Sequence, residues 1–213
     1  MSQPLRRLRN NWTPPQLEAP QALPHLPIAQ QSLEQDLEFS WVQETARSIG
    51  TLVHALLEQF ADGAPAAHSI QSRRDEFAHQ LRRQGVPERE VPAAVQVVIE
   101  ALMRTAADER GRWIFSKEHQ QPRSELALTG LAAGRLTNVI IDRSFVDSTG
   151  TRWVIDFKTS RHQGSGVEEF LDREMQRYAA QLRKYVELAR GLGPHPVRAA
   201  LYFPLLGAFR ELT

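Results

Sequence analysis

Apolar and polar positions along this chain change their period near Trp113. Upstream, Ile49, Leu52, Val53, Leu56 and Phe60 recur at helical spacing, which predicts a helix from Thr45 that ends at Gly63 and Pro65. Two more helices are predicted over about 70–84 and 88–109. The first is closed by Gly85, and Pro87 and Pro92 stand near the start of the second, where a missing N–H is tolerated. From Trp113 onward, short segments rich in β-branched and aromatic residues recur between turn residues, predicting strands at 112–118, 124–129, 135–146 and 151–158. A Gly-rich loop at 164–166 then leads into a long helix reaching about Arg190. Gly191-Leu-Gly-Pro194 breaks it, and Val197–Leu205 reads as a last strand. This order of helices, strands, helix and strand predicts an α/β (α+β) fold, a mixed sheet flanked by helices.

The first residues follow neither period. Residues 1 to about 30 hold six prolines, a density that blocks helices and sheet ladders. The expected organisation is a Pro-rich arm over 1–36 and one domain over 37–213. Its helical part spans 43–110, and its sheet and last helix span 111–206. At 213 residues, 41% hydrophobic and 24% charged, the chain has the makeup of a globular protein able to bury a core. No apolar run is long enough to cross a bilayer, and the N-terminal arginines precede no apolar stretch. No membrane partner and a cytoplasmic location are the resulting expectations.

Composition narrows the chemistry further. The absence of cysteine excludes disulfides, thiolate zinc sites, iron–sulfur clusters and a cysteine nucleophile, so any metal must take oxygen and imidazole ligands. A net charge of only +1 gives no whole-molecule attraction for nucleic acid, so a case for DNA has to come from a local site.

That site is expected on the hairpin Val139–Lys158. Asp147-Ser-Thr-Gly150 has the composition of a tight turn. Strand alternation puts Trp153, Ile155 and Phe157 on one face and Arg152, Val154, Asp156 and Lys158 on the other. If the turn centres on Thr149, Asp147 faces Thr151, Val146 faces Arg152, and Asp142 faces Asp156. Directly opposed like charges destabilise an antiparallel pair, and a divalent cation between the two carboxylates resolves the conflict. Lys158 would stand beside that cation. The combination suits phosphodiester hydrolysis, with a metal activating water and a lysine holding the nucleophile or stabilising the transition state. Arg143, on the face of Ile141 and Phe145, has no evident role at this level. An isolated Asp-x-Lys is most often a surface ion pair; it is the facing Asp142 that favours a site.

Gly50-Thr-Leu-Val-His54, Ile141-Asp-Arg143, Trp153-Val-Ile-Asp-Phe-Lys-Thr-Ser160 and Gln181-Leu-Arg-Lys-Tyr185 occur in the order seen in RecB-like nucleases of the PD-(D/E)XK superfamily. Over roughly residues 38–206 the chain most resembles the C-terminal nuclease domain of bacterial UvrD-type helicase–nucleases, the AddA kind. The resemblance implies a restriction-endonuclease-like fold. It also implies that His54, Asp142, Asp156 and the backbone carbonyl of Phe157 ligate Mg2+ or Mn2+. Lys158 would be the catalytic lysine, and Gln181 and Tyr185 would line the site. Tyr185 also continues the seam of Met175, Tyr178, Leu182 and Ala189, so core packing is an equal reading. Glu125 falls where relatives often carry a glutamate, either supporting the site or simply exposed. The chain departs from the family at Val139, where many relatives have glycine.

The resemblance further implies DNA, single-stranded, as partner, with an exonuclease role in recombination and repair. No Gly-x-x-x-x-Gly-Lys-Ser/Thr loop is present, so a helicase motor is expected elsewhere on the polypeptide, removed from this chain, or on a partner. Two other function classes compete: a catalytically idle DNA-binding or docking module of a helicase complex, and a structural domain whose carboxylates hold a stabilising ion.

Overall fold

The computed structural model describes residues 30–62, 65–132, 134–161 and 166–213. The chain divides into two compact units, Met1–Leu37 and Glu38–Thr213. Most of the expected arm lies outside the described residues. Helix α1, however, runs from Gln30 to Glu58, so it begins well before Thr45, inside the stretch assigned to the arm.

The second unit follows the predicted order with local changes. Helix 70–84 is two helices, α2 (Ala67–Ser72) and α3 (Arg74–Arg83), and the next, α4, spans Val91–Ala107 with a proline in its first turn. The strand expected at 112–118 is not one. Asp108 instead caps a short helix α5 (Glu109–Ile114), its carboxylate accepting the Gly111 N–H at 2.8 Å. That cap outweighs the β propensity of Trp113 and Ile114, and tertiary packing holds Trp113 against Phe145 and Trp153.

Among the described residues five strands, β1 (Gln120–Ala132), β2 (Arg135–Val146), β3 (Arg152–Phe157), β4 (Val197–Phe203) and β5 (Ala208–Glu211), lie side by side in chain order. All neighbours are antiparallel except β3 and β4, which are parallel and joined across the sheet by helix α6 (Val167–Ala189). The short β5 escapes a reading by periodicity. It follows a turn at Gly207, whose φ of 60° suits glycine.

Two apolar clusters sandwich this mixed sheet. One joins the helices α1 to α4 and α5 to Phe145, Trp153, Ile155 and Phe157. The other joins α6, through Leu171, Leu182, Tyr185 and Ala189, to Val154, Leu201 and Phe203. Every second residue of β3 therefore serves one layer, as the alternation predicts. Ile141 breaks the pattern. It packs with the α6 cluster, while Phe145 faces the other helices and Arg143 lies over the Phe115 ring. The expected common face for Ile141, Arg143 and Phe145 is thus wrong: the alternation of β2 is interrupted at Asp142, between the two layers.

Candidate active site

The turn that sets the hairpin register is built by one side chain. Asp147 Oδ1 accepts the backbone N–H groups of Thr149 and Thr151 at 2.9 and 3.0 Å, and Oδ2 accepts the Trp153 indole N–H at 2.8 Å. Burial works against charge on Asp147, but these bonds outweigh it and hold its pKa below the usual value. The register then runs Val146–Arg152, Phe145–Trp153, Ser144–Val154 and Arg143–Ile155. The ladder stops there, one position short of the expected Asp142–Asp156 pair, although the Asp142 charge still acts on Asp156. Asp142 turns its own carboxylate into the ladder's place, accepting the Phe157 N–H through Oδ2 at 2.6 Å.

Its other oxygen points toward α1. His54 Nδ1 lies 3.6 Å from Asp142 Oδ1, and the imidazole meets the Phe157 ring edge-on at 5.9 Å. Close approach of α1 is permitted by Gly50, one turn earlier, where an added Cβ would sit 2.9 Å from Thr159 Oγ1. Burial alone would depress the His54 pKa. The bond to Asp142 and the charges of Asp142 and Asp156 prevail over burial and over Lys158, so it is raised.

Asp156 is 3% exposed. Its Oδ2 has Lys158 Nζ at 2.6 Å, yet makes no aligned hydrogen bond. Oδ1 accepts the Gln181 amide at 3.0 Å and lies 3.4 Å from the Tyr185 hydroxyl. Burial and the neighbouring Asp142 charge raise the Asp156 pKa, while Lys158 and His54 oppose the shift. Tyr185, buried in the α6 cluster, has its pKa raised by burial and by the nearby carboxylates, and stays a phenol. It accepts a hydrogen bond from Gln181, so it serves the core and the polar cluster at once.

The structure thus brings together His54, Asp142, Asp156, Lys158, Gln181 and Tyr185, with Phe157 contributing its backbone N–H. Glu125 is exposed, with φ of 47°, and lies between Ser124, paired with Arg143, and Leu126, paired with Ile141. Burial and the charges of Asp142 and Glu58 raise its pKa, which places it at the rim of the same cluster.

Two further groups were not anticipated. Glu174, 8% exposed on α6, accepts the Ser160 hydroxyl at 3.0 Å, and the Tyr178 ring lies 3.9 Å beneath Lys158 Nζ. Glu174, Tyr178, Gln181 and Tyr185 share one helical stripe, a spacing that could have revealed both.

Among the described residues, no three His, Asp or Glu side chains stand together in a geometry that would hold a metal ion. The donor types nonetheless suit a hard divalent cation: the carboxylates of Asp142 and Asp156, with the His54 imidazole 3.6 Å from Asp142 Oδ1. No helix among the described residues is long and apolar enough to cross a membrane.

Comparison with curated proteins gives no significant match. A family model does match, that of the PD-(D/E)XK nuclease superfamily, and it spans residues 32–209, from within α1 to the last strand. The hairpin acids, the lysine beyond them and strands β1 to β4 fall inside that span, and the chain belongs to the PD-(D/E)XK nuclease superfamily.

Proposed function

We propose that this chain is a metal-dependent DNA nuclease domain, RecB-like and of the AddA kind, working as the exonuclease part of a cytoplasmic helicase–nuclease in recombination and repair. The observation that carries this reading is the junction of β2 and β3, where Asp142, Asp156 and Lys158 converge at the point at which the ladder ends. His54, Asp142, Asp156 and the Phe157 carbonyl are the residues that would hold Mg2+ or Mn2+. When bound, such an ion supplies Lewis acidity and neutralises charge on a phosphodiester.

The protein's own groups divide the remaining work. The Lys158 ammonium, set over the Tyr178 ring, is placed to orient an attacking water and to stabilise negative charge growing on the phosphate oxygens. Gln181 holds the Asp156 carboxylate in orientation through Oδ1, leaving Oδ2 toward Lys158. Tyr185 keeps Gln181 in place. Single-stranded DNA is the substrate that a helicase motor, in cis or on a partner, would deliver.

The test is digestion of end-labelled single- and double-stranded DNA with Mg2+, with Mn2+ and with chelator. Metal-dependent release of nucleotides from single strands supports the reading. A wild-type chain that cleaves neither substrate under any metal, while still binding DNA, would replace it with a docking module.

A further inference from the structure

Two arginines of the hairpin are buried, and neither is paired with a carboxylate among the described residues. Arg143, 1% exposed, has an aromatic neighbour: its guanidinium lies 5.3 Å over the Phe115 ring, and Nη1 donates to Ser124. Arg152, 3% exposed, is different. Among the described residues its guanidinium makes one hydrogen bond, from Nη2 to the side-chain oxygen of Gln121, and it lines a cavity of about 300 Å3. Gln121, Arg123, Leu126 and Leu192 form the rest of that cavity. Burial lowers the Arg152 pKa with no acidic neighbour to offset it.

No Arg152 nitrogen is both sealed from water and without a partner, so the donors that Gln121 does not take stay open to the cavity. One amide oxygen takes one of the five N–H donors of the guanidinium and leaves the others available to an oxyanion. Arg123, exposed at the cavity, adds a second cation. Gln121 adopts φ of 49° in the irregular stretch between Gln120 and Arg123. Leu126 and Leu192 supply apolar walls of the kind a deoxyribose packs on. The planar donor fork of arginine matches phosphate oxygens in pairs.

We propose that Arg152, Arg123 and Gln121 form a subsite for a phosphate oxyanion, separate from the cleavage centre. Arg152 pairs with Val146 and Val197 at the start of β3, four residues before Asp156, about 13 Å along the strand. The subsite goes beyond the cleavage reading and stands whether or not that reading holds. A phosphate monoester at a strand end and a diester within the strand share the required chemistry.

The experiment uses the full chain in chelator, so that no metal contributes. Inorganic phosphate is titrated against chloride at matched ionic strength, and the midpoint of thermal unfolding and the heat of binding are followed. Saturable stabilisation by phosphate is expected in the wild type. Arg123→Ala, on the exposed rim, should weaken half-saturation about tenfold, the size of one lost charge-assisted hydrogen bond. Arg152→Met should abolish the response. A wild type that answers phosphate no more than chloride overturns the subsite. So does an unchanged half-saturation in Arg123→Ala, which decides the matter even if Arg152→Met does not fold. Competition with oligothymidine identifies the source. Displacement of phosphate only by the 5′-phosphorylated strand assigns a monoester end, and equal displacement by the unphosphorylated strand assigns the backbone.

Discussion

The Oδ2 atom of Asp142 accepts the backbone N–H of Phe157 at 2.6 Å, so a side chain of β2 completes the ladder where backbone pairing with β3 ends. Asp142 therefore has a structural bond on one oxygen and leaves the other toward His54. Asp142→Asn retains an acceptor for Phe157 but removes the charge. It should keep the urea midpoint close to wild type while lowering DNA cleavage by at least about a hundredfold. Asp142→Ala should lose cleavage and also about 1–3 kcal/mol of stability, since a buried N–H is left without a partner.

Lys158 is half-buried against Asp156 and Tyr178. Lys158→Met preserves most of the side-chain volume and removes the ammonium. Cleavage should fall by about two to three orders of magnitude, with the circular dichroism spectrum unchanged. Cleavage at the wild-type rate in this variant would remove Lys158 from the mechanism.

Gly50 allows α1 to approach the segment that follows Lys158. A Cβ there would stand 2.9 Å from Thr159 Oγ1. Gly50→Ala should destabilise the fold by about 1–3 kcal/mol through overpacking and reduce cleavage by displacing Thr159 and its neighbours. Removing the clashing hydroxyl in Gly50→Ala/Thr159→Ala should recover most of the loss. A double-mutant cycle in urea measures the coupling, and additive effects would place the strain elsewhere.

His119 offers a pH test away from the carboxylate cluster. It stacks on Phe145 with ring centroids 3.9 Å apart, and Nε2 lies 2.6 Å from the Trp113 carbonyl, which it reaches as a neutral donor. Burial lowers its pKa below 6.5, the Arg143 charge adds to the shift, and the Trp113 bond opposes it. The unfolded chain takes up a proton near 6.5, before the folded one does. The His119 contribution is therefore complete above that pH and lost as pH falls toward the lowered folded value. His119→Phe should flatten the fall in urea midpoint between about pH 7 and about pH 5. An undiminished slope would assign it to other groups.

The hairpin at the centre of the sheet was legible because strand alternation and turn composition are local properties. Asp147 and Gly150 fix the turn, the turn fixes the register, and the register runs to Arg143 and Ile155, one position before Asp142 and Asp156. The helices were legible in number only roughly. A break at Arg73 and the Asp108 cap depend on packing and on one carboxylate reaching one N–H, neither of which periodicity records. The layer change at Ile141 was hidden for a related reason: it follows from Asp142 entering the ladder, a side chain acting as backbone. Glu174 and Tyr178 were visible in principle, as members of the stripe that carries Gln181 and Tyr185, but nothing in the spacing alone separates a polar lining from a solvated face.

The polar cluster draws on the consecutive elements β2, β3 and α6 and on α1, which lies far from them along the chain. Asp156 gains the Gln181 amide only once α6 has docked across the sheet. A chain that ended before Gln181 would hold Asp156 without its Gln181 and Tyr185 partners. The cluster is thus a property of the assembled sandwich, contributed by four elements and complete in none of them.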